Sequence, residues 1–182
     1  MKNFLKKLDI TRIFLLLCLL FLLILIIITS KGAQKIIFMS SFIILNLFIT
    51  LYKRYFRLPI EIEILSLGII LCSVSYDVAA GLFVALIGGI LYTVFNTNFS
   101  PFTIPMILGY MMMAFLSSFF SHINIVYLGI FVNIIHNIFV FTIYHFLFKY
   151  DLNKNLLFSI SNVLFNILLF INLGGIMYGV MT

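Results

Sequence analysis

Three polar side chains, Asn133, His136 and Asn137, lie three and four residues apart inside an apolar run of 24 residues, 125–148. On a helix these offsets place all three on one face. In a bilayer such groups are costly and turn toward the bundle interior or a water-filled cavity, where something polar must meet them. The expected partners are Tyr110 in the preceding run and Asn162 with Asn166, one turn apart, in the last. Two chemistries fit: an interhelical hydrogen-bond network, or a pocket holding a small solute through a few convergent polar groups. Glu63 heads a second set, forming a stripe with Ser66, Ser73 and Asp77 at offsets of three, seven and four. That stripe reads either as solvated helix ends or as a polar cavity wall. Glu61, four residues after Arg57, reads as half of a surface ion pair.

Reaction chemistry has little to build on. His145 follows His136 by nine residues, about half a turn out of phase, so the two cannot share a metal on one straight helix, and neither has a zinc-ligand spacing. Tyr76-Asp77 and Tyr150-Asp151 are the kind of dipeptide that intramembrane aspartyl proteases carry, but the Gly-x-Gly-Asp partner is missing and Asp151 falls in a Lys-flanked loop. There is no His-Glu-x-x-His helix, no Gly-x-Ser-x-Gly elbow and no phosphate-cradling glycine loop. We therefore expect no enzyme, no cofactor and no metal. Cys18 and Cys72 both sit in apolar runs without a Cys-x-x-Cys spacing, which points to packing.

The elements that would position these groups follow from the solvent. With 64% hydrophobic and 9% charged residues in 182, the chain lies outside the globular range. Its apolar runs approach the roughly 17–25 residues a helix needs to cross a bilayer, and the period-two alternation of a membrane barrel is absent. The sequence predicts an all-α, polytopic transmembrane bundle with about seven spans: 13–30, 36–52, 60–76, 79–95, 102–121, 125–148 and 156–180. The first run is too long for a secretory signal core and lacks a convincing cleavage site. Residues 1–35 are expected to be a basic cytoplasmic N-terminus with an extra transmembrane helix, and 36–182 a six-helix core in a multi-pass protein of the cell membrane.

Basic residues set the orientation. An N-terminus inside puts Lys2, Lys6, Lys7, Arg12, Lys53, Arg54, Arg57, Lys149 and Lys154 on one side and only Lys31 and Lys35 on the other. The net charge of +6 reads as this signal together with attraction to anionic lipid, and no nucleic-acid partner is expected. Helix packing is signalled by Gly81, Ala85 and Gly89, which repeat every four residues with Gly88 beside them, and again by Gly175 and Gly179. Small residues at this spacing let backbones approach closely.

The stretch RLPIEIEILSLGIILCSVSYDVAAGLFVALIGGILYTVFNTNFSPFTIPMILGY, residues 57–110, resembles the central part of the substrate-binding S components of energy-coupling-factor transporters. The matching pieces are Leu58 with Pro59, a short apolar helix, the turn at Tyr76 to Ala80, the glycines at 81, 88 and 89, the polar loop Asn96 to Ser100, and Gly109 with Tyr110. The same pattern is similar, as second choice, to the rod-shape-determining integral membrane proteins, which act as scaffolds. The first resemblance implies a subunit that binds a small-molecule solute and depends on a transmembrane coupling subunit with separate ATPases. Its pocket would use Glu63, Tyr110, Asn133, His136, Asn137, Asn162 and Asn166. The second implies a non-catalytic scaffold in which those residues bond to one another across a closed bundle.

Overall fold

In a computed structural model the described residues are 31–56, 61–95 and 100–182, with side chains described outside 51–56. The predicted first span, Cys18, the basic residues before it, and Arg57 to Pro59 lie outside them. The elements are α1 (Lys31–Phe56), α2 (Leu65–Ser75), α3 (Val78–Phe95), α4 (Thr103–Phe119), α5 (Ile125–Phe146), α6 (Leu152–Leu169), a π-helical turn at Phe170–Gly174, and α7 (Gly175–Met181). Among the described residues there is no strand. The unit that carries the polar clusters runs from Phe38 to Thr182.

Helix α2 is the organising element. Its residues Leu65 to Ser73 are all buried, as expected for a helix that is apolar on every side and sits inside a bundle. Helices α3, α4, α5, α6 and α7 all pack against it, and Phe42 of α1 closes over Gly68, where a Cβ would come within 2.6 Å of the ring. At 11 residues, α2 rises only about 16 Å, roughly half of a hydrocarbon core. The third predicted span, 60–76, is thus a short central helix preceded by the non-helical Glu61 to Glu63. Among the described residues, four helical runs are long and apolar enough to cross a membrane: Lys31–Thr50, Val78–Phe95, Ile125–Phe146 and Leu152–Met181. Helix α4, at 17 residues, is another shorter apolar helix.

Local chemistry fixes the helix starts. Asn124 Oδ1 accepts from Val126 N at 3.0 Å to cap α5, and Asp151 Oδ1 accepts from Lys154 N at 2.9 Å to cap α6. Asp77 is exposed and Oδ1 accepts from Ala80 N at 2.7 Å, satisfying the start of α3. The start of α2 has no cap of its own. Asn46 on α1 supplies one instead, Oδ1 accepting from Ile64 N at 3.1 Å and Leu65 N at 3.3 Å.

The glycine face of α3 lies where the spacing predicted. A Cβ at Gly81 would sit 1.8 Å from Ser73 Oγ, one at Gly88 2.3 Å from Leu65, and one at Gly89 3.1 Å from Ile107; Ala85 is fully buried. Gly175 and Gly179 correct the sequence reading, because a Cβ at either meets nothing within 4 Å. Close packing at that end involves Gly129 instead, where a Cβ would approach the buried Phe170 ring to 2.1 Å. The π turn shifts the helical phase just before Gly175, which moves the predicted glycine pair to the surface. The outside of the bundle is apolar: Phe83, Ile90 and Val94 on α3, Ile134 and Ile138 on α5, and Leu157, Ile160 and Leu164 on α6 are all exposed. A continuous surface of this kind suits acyl chains better than water.

Candidate binding site

The seven residues singled out from the sequence are all buried, and they fall into two clusters. In the first, Glu63 accepts a hydrogen bond from Ser66 Oγ at 2.6 Å and another, through its second oxygen, from the hydroxyl of Tyr110. Tyr110 lies flat against His136, with centroids 5.1 Å apart and planes 6° from parallel. Glycines make room for the pair: a Cβ at Gly109 would come within 2.7 Å of the imidazole, and one at Gly89 within 3.4 Å of the Tyr110 ring. Glu63 sits just before the first turn of α2, where the positive end of the helix dipole favours a carboxylate. His136 Nδ1 is buried without a partner.

The second cluster is a run of amides between α5 and α6. Asn137 Nδ2 donates to Asn133 O at 2.9 Å, to Asn133 Oδ1 at 3.0 Å and, across the helix pair, to Asn162 Oδ1 at 3.0 Å. Asn166 Nδ2 reaches the same Asn162 Oδ1 at 3.1 Å and Asn162 O at 3.0 Å. His136 lies beside these residues along α5 but turns toward Tyr110, so the helical face read from the sequence serves two neighbours.

The Glu63 stripe divides in a similar way. Ser73 Oγ donates to Ile69 O of its own helix at 2.8 Å, while Asp77 works as a cap. His145 stacks on Phe141 at 6.0 Å, away from His136. Among the described residues no group of three His, Cys, Asp or Glu side chains is arranged to hold a metal ion.

Sequence reasoning missed Glu61. It is 5% exposed rather than at the surface; Tyr92 Oη donates to it at 3.2 Å, and its backbone N–H donates to Ser161 Oγ at 3.0 Å. The expected partner, Arg57, lies outside the described residues, and Glu61 to Glu63 precede α2 without helical structure. Pro59, which biases its predecessor away from helix, was the available signal.

Tyr92 also leads to a cavity of about 350 Å³, lined by Tyr92, Thr93, Ser100, Phe102, Thr103, Met106, Tyr144, Tyr150, Asn155 and Phe158. None of the seven sequence candidates lines it. Phe102 is the hub of its wall, meeting Tyr144 edge-on at 5.1 Å and Tyr150 at 5.3 Å. Tyr144 Oη ties the α4 entry to α5 by donating to Phe102 O at 2.9 Å. Asn155, fully buried at the start of α6, donates through Nδ2 to Phe141 O at 3.0 Å. These rings come from three helices and two connections, which explains why no local spacing announced them. Compared with family models, curated proteins and solved structures, the chain finds no match.

Proposed function

We propose that this chain is a multi-pass membrane protein of the cell membrane, with about seven spans, that binds a small solute as the non-catalytic subunit of a transport system. On this reading a coupling subunit with ATPases supplies the energy, as the resemblance to S components implies. The observation that carries it is the aromatic cavity of about 350 Å³, within the size range of small-molecule sites. Apolar walls with a few polar groups are the usual composition of such sites, and the hydroxyl of Tyr92 links this one to the buried carboxylate of Glu61. The binding role therefore rests on Tyr92, Tyr144 and Phe102 more than on the mid-membrane amides.

The cavity lies at the end of the bundle that carries Lys149 and Lys154. Retention of basic residues inside places that end at the cytoplasmic face, the release side in uptake. The test is mass spectrometry of small molecules that co-purify with the full chain, followed by thermal unfolding with and without each one. A saturating ligand at 100 times its Kd should stabilise by about 2.7 kcal/mol. No co-purifying molecule, with unchanged unfolding across a solute panel, counts against binding.

A scaffold is the second reading, and one observation favours it. The amides of Asn133, Asn137, Asn162 and Asn166 bond to one another, so this part of the bundle is held closed by its own polar groups. A pure scaffold would tolerate substitutions that fill the cavity.

A further inference from the structure

We propose that Glu63 and His136 together hold a single exchangeable proton, which makes the crossing of α2, α4 and α5 a proton-binding site inside the bundle. The inference is independent of the aromatic cavity and of any solute.

Glu63 is buried, and among the described residues its polar partners are two hydroxyls, Ser66 Oγ and Tyr110 Oη. Hydroxyls rotate and either donate or accept, so this setting satisfies a carboxylate and a protonated carboxyl alike. Lysine, arginine or backbone N–H partners would have fixed the charged form. His136, also buried, is the base within range. Its ring lies parallel to that of Tyr110 at 5.1 Å, and the charge of Glu63 reaches it. Nδ1 has no hydrogen-bond partner and lies against Gly109.

Charge balance supplies the count. A net charge buried in an apolar bundle is costly. Without a proton the pair is an anion, and with two it is a cation. One proton leaves it neutral, as carboxylate with imidazolium or as carboxyl with imidazole. Around the pair, α4 contributes Tyr110, and Glu61 and Tyr92 act on that phenol in turn. Cys72 and Tyr178 are the titratable residues of α2 and α7, and α6 meets α5 here through the amides of Asn162 and Asn166. Lys53, Arg54, Arg57, Lys149 and Lys154 gather at the cytoplasmic end of the predicted topology, with Lys31 and Lys35 at the other. Their field is common to parent and variant and cancels when the two are compared. Drawing α5 away from the head of α2 separates the partners and admits water, so the proton leaves as the bundle opens.

The test is the pH dependence of unfolding for the full chain in detergent, parent against Glu63→Gln. In an unfolded chain Glu gives up its proton at about pH 4.3 and His at about pH 6.5. Above about pH 6.5 the folded parent therefore keeps one proton that the unfolded chain lacks, and stability falls as pH rises. In Glu63→Gln an imidazolium would have no counter-ion, so His136 is neutral and this dependence disappears. Relative to the variant, the folding constant of the parent should fall about tenfold per pH unit in this range. Parallel profiles overturn the proposal. Should Glu63→Gln fail to fold, spectroscopy of the chain with Glu63 and His136 in place decides at neutral pH. His122→Gln with His145→Gln leaves His136 as the one histidine for nitrogen NMR, and Glu61→Gln leaves Glu63 as the one glutamate for carbon NMR. A neutral imidazole with a protonated carboxyl, or an imidazolium with a carboxylate, is the expected result. A neutral imidazole beside a carboxylate, or an imidazolium beside a protonated carboxyl, overturns it.

Discussion

Tyr110 presents its ring to His136 and its hydroxyl to Glu63, so one side chain on α4 joins the imidazole of α5 to the carboxylate at the head of α2. The ring stack and the hydroxyl bond can be removed separately, because they use different atoms.

Tyr110→Phe keeps the stack and leaves Glu63 with the hydrogen bond from Ser66 alone. Hydrogen bonds to a charged group contribute about 1.5–3 kcal/mol, so this variant should lose roughly that much stability in detergent. Tyr110→Leu should lose a further ~1 kcal/mol with the aromatic pair. Thermal or denaturant unfolding of the two variants would check this. Equal stability of Tyr110→Phe and the parent would mean that the carboxylate gains nothing from the hydroxyl.

The two glycine sets make opposite predictions. Gly81→Ala places a methyl group into Ser73, where a Cβ would lie 1.8 Å from Oγ and 3.1 Å from Ile69 O. Overpacking of this kind costs about 1–3 kcal/mol, because α2 and α3 must separate. Gly175→Ala and Gly179→Ala meet open space and gain helix propensity of up to about 1 kcal/mol. Unfolding measurements should therefore fall for the first and hold or rise for the other two. A loss at Gly175 or Gly179 equal to that at Gly81 would mean that this surface is covered in the membrane.

What the sequence disclosed divides along the range of the interactions. Helical phase sufficed for Asn133, Asn137, Asn162 and Asn166, because each is paired to a residue one turn away or on the adjoining helix. The glycine face of α3 was equally legible, since a strict four-residue repeat has few other uses. The short length of α2 and the burial of Glu61 were hidden, because an apolar run followed without a break and periodicity alone does not mark where a non-helical segment becomes helix. The cavity was also beyond reach: Tyr92, Phe102, Tyr144 and Tyr150 come together only through the packing of α3 against α4 and of α4 against α5. At Gly175 and Gly179 a correct motif met a π turn that rotated it outward.

Asn46 gives a long-range prediction at a helix start. Its Oδ1 accepts the N–H groups of Ile64 and Leu65 from a different helix, and the Asn46 side chain is itself buried. Asn46→Ala should cost about 1–2 kcal/mol, the upper range for loss of a helix cap. Asn46→Asp, which keeps the acceptor, should recover much of that loss. Hydrogen exchange at Ile64 and Leu65 gives a direct readout, with faster exchange expected in the alanine variant. Unchanged protection would mean that these amides are held by something other than Asn46.

Orientation can be read from the cavity end. Replacing Cys18 and Cys72 with alanine removes both native thiols, and Lys149→Cys then places a single thiol on an exposed residue beside Tyr150. Nine of the eleven basic residues fall on one side of the predicted topology, and such residues are retained inside. A membrane-impermeant maleimide should therefore label this thiol in inverted vesicles and leave it untouched in intact cells. A second variant, Lys35→Cys, should show the reverse. Labelling of Lys149→Cys from outside would invert the bundle, put the aromatic cavity on the outer face where an uptake subunit first meets its solute, and show that the basic residues do not set this chain's topology.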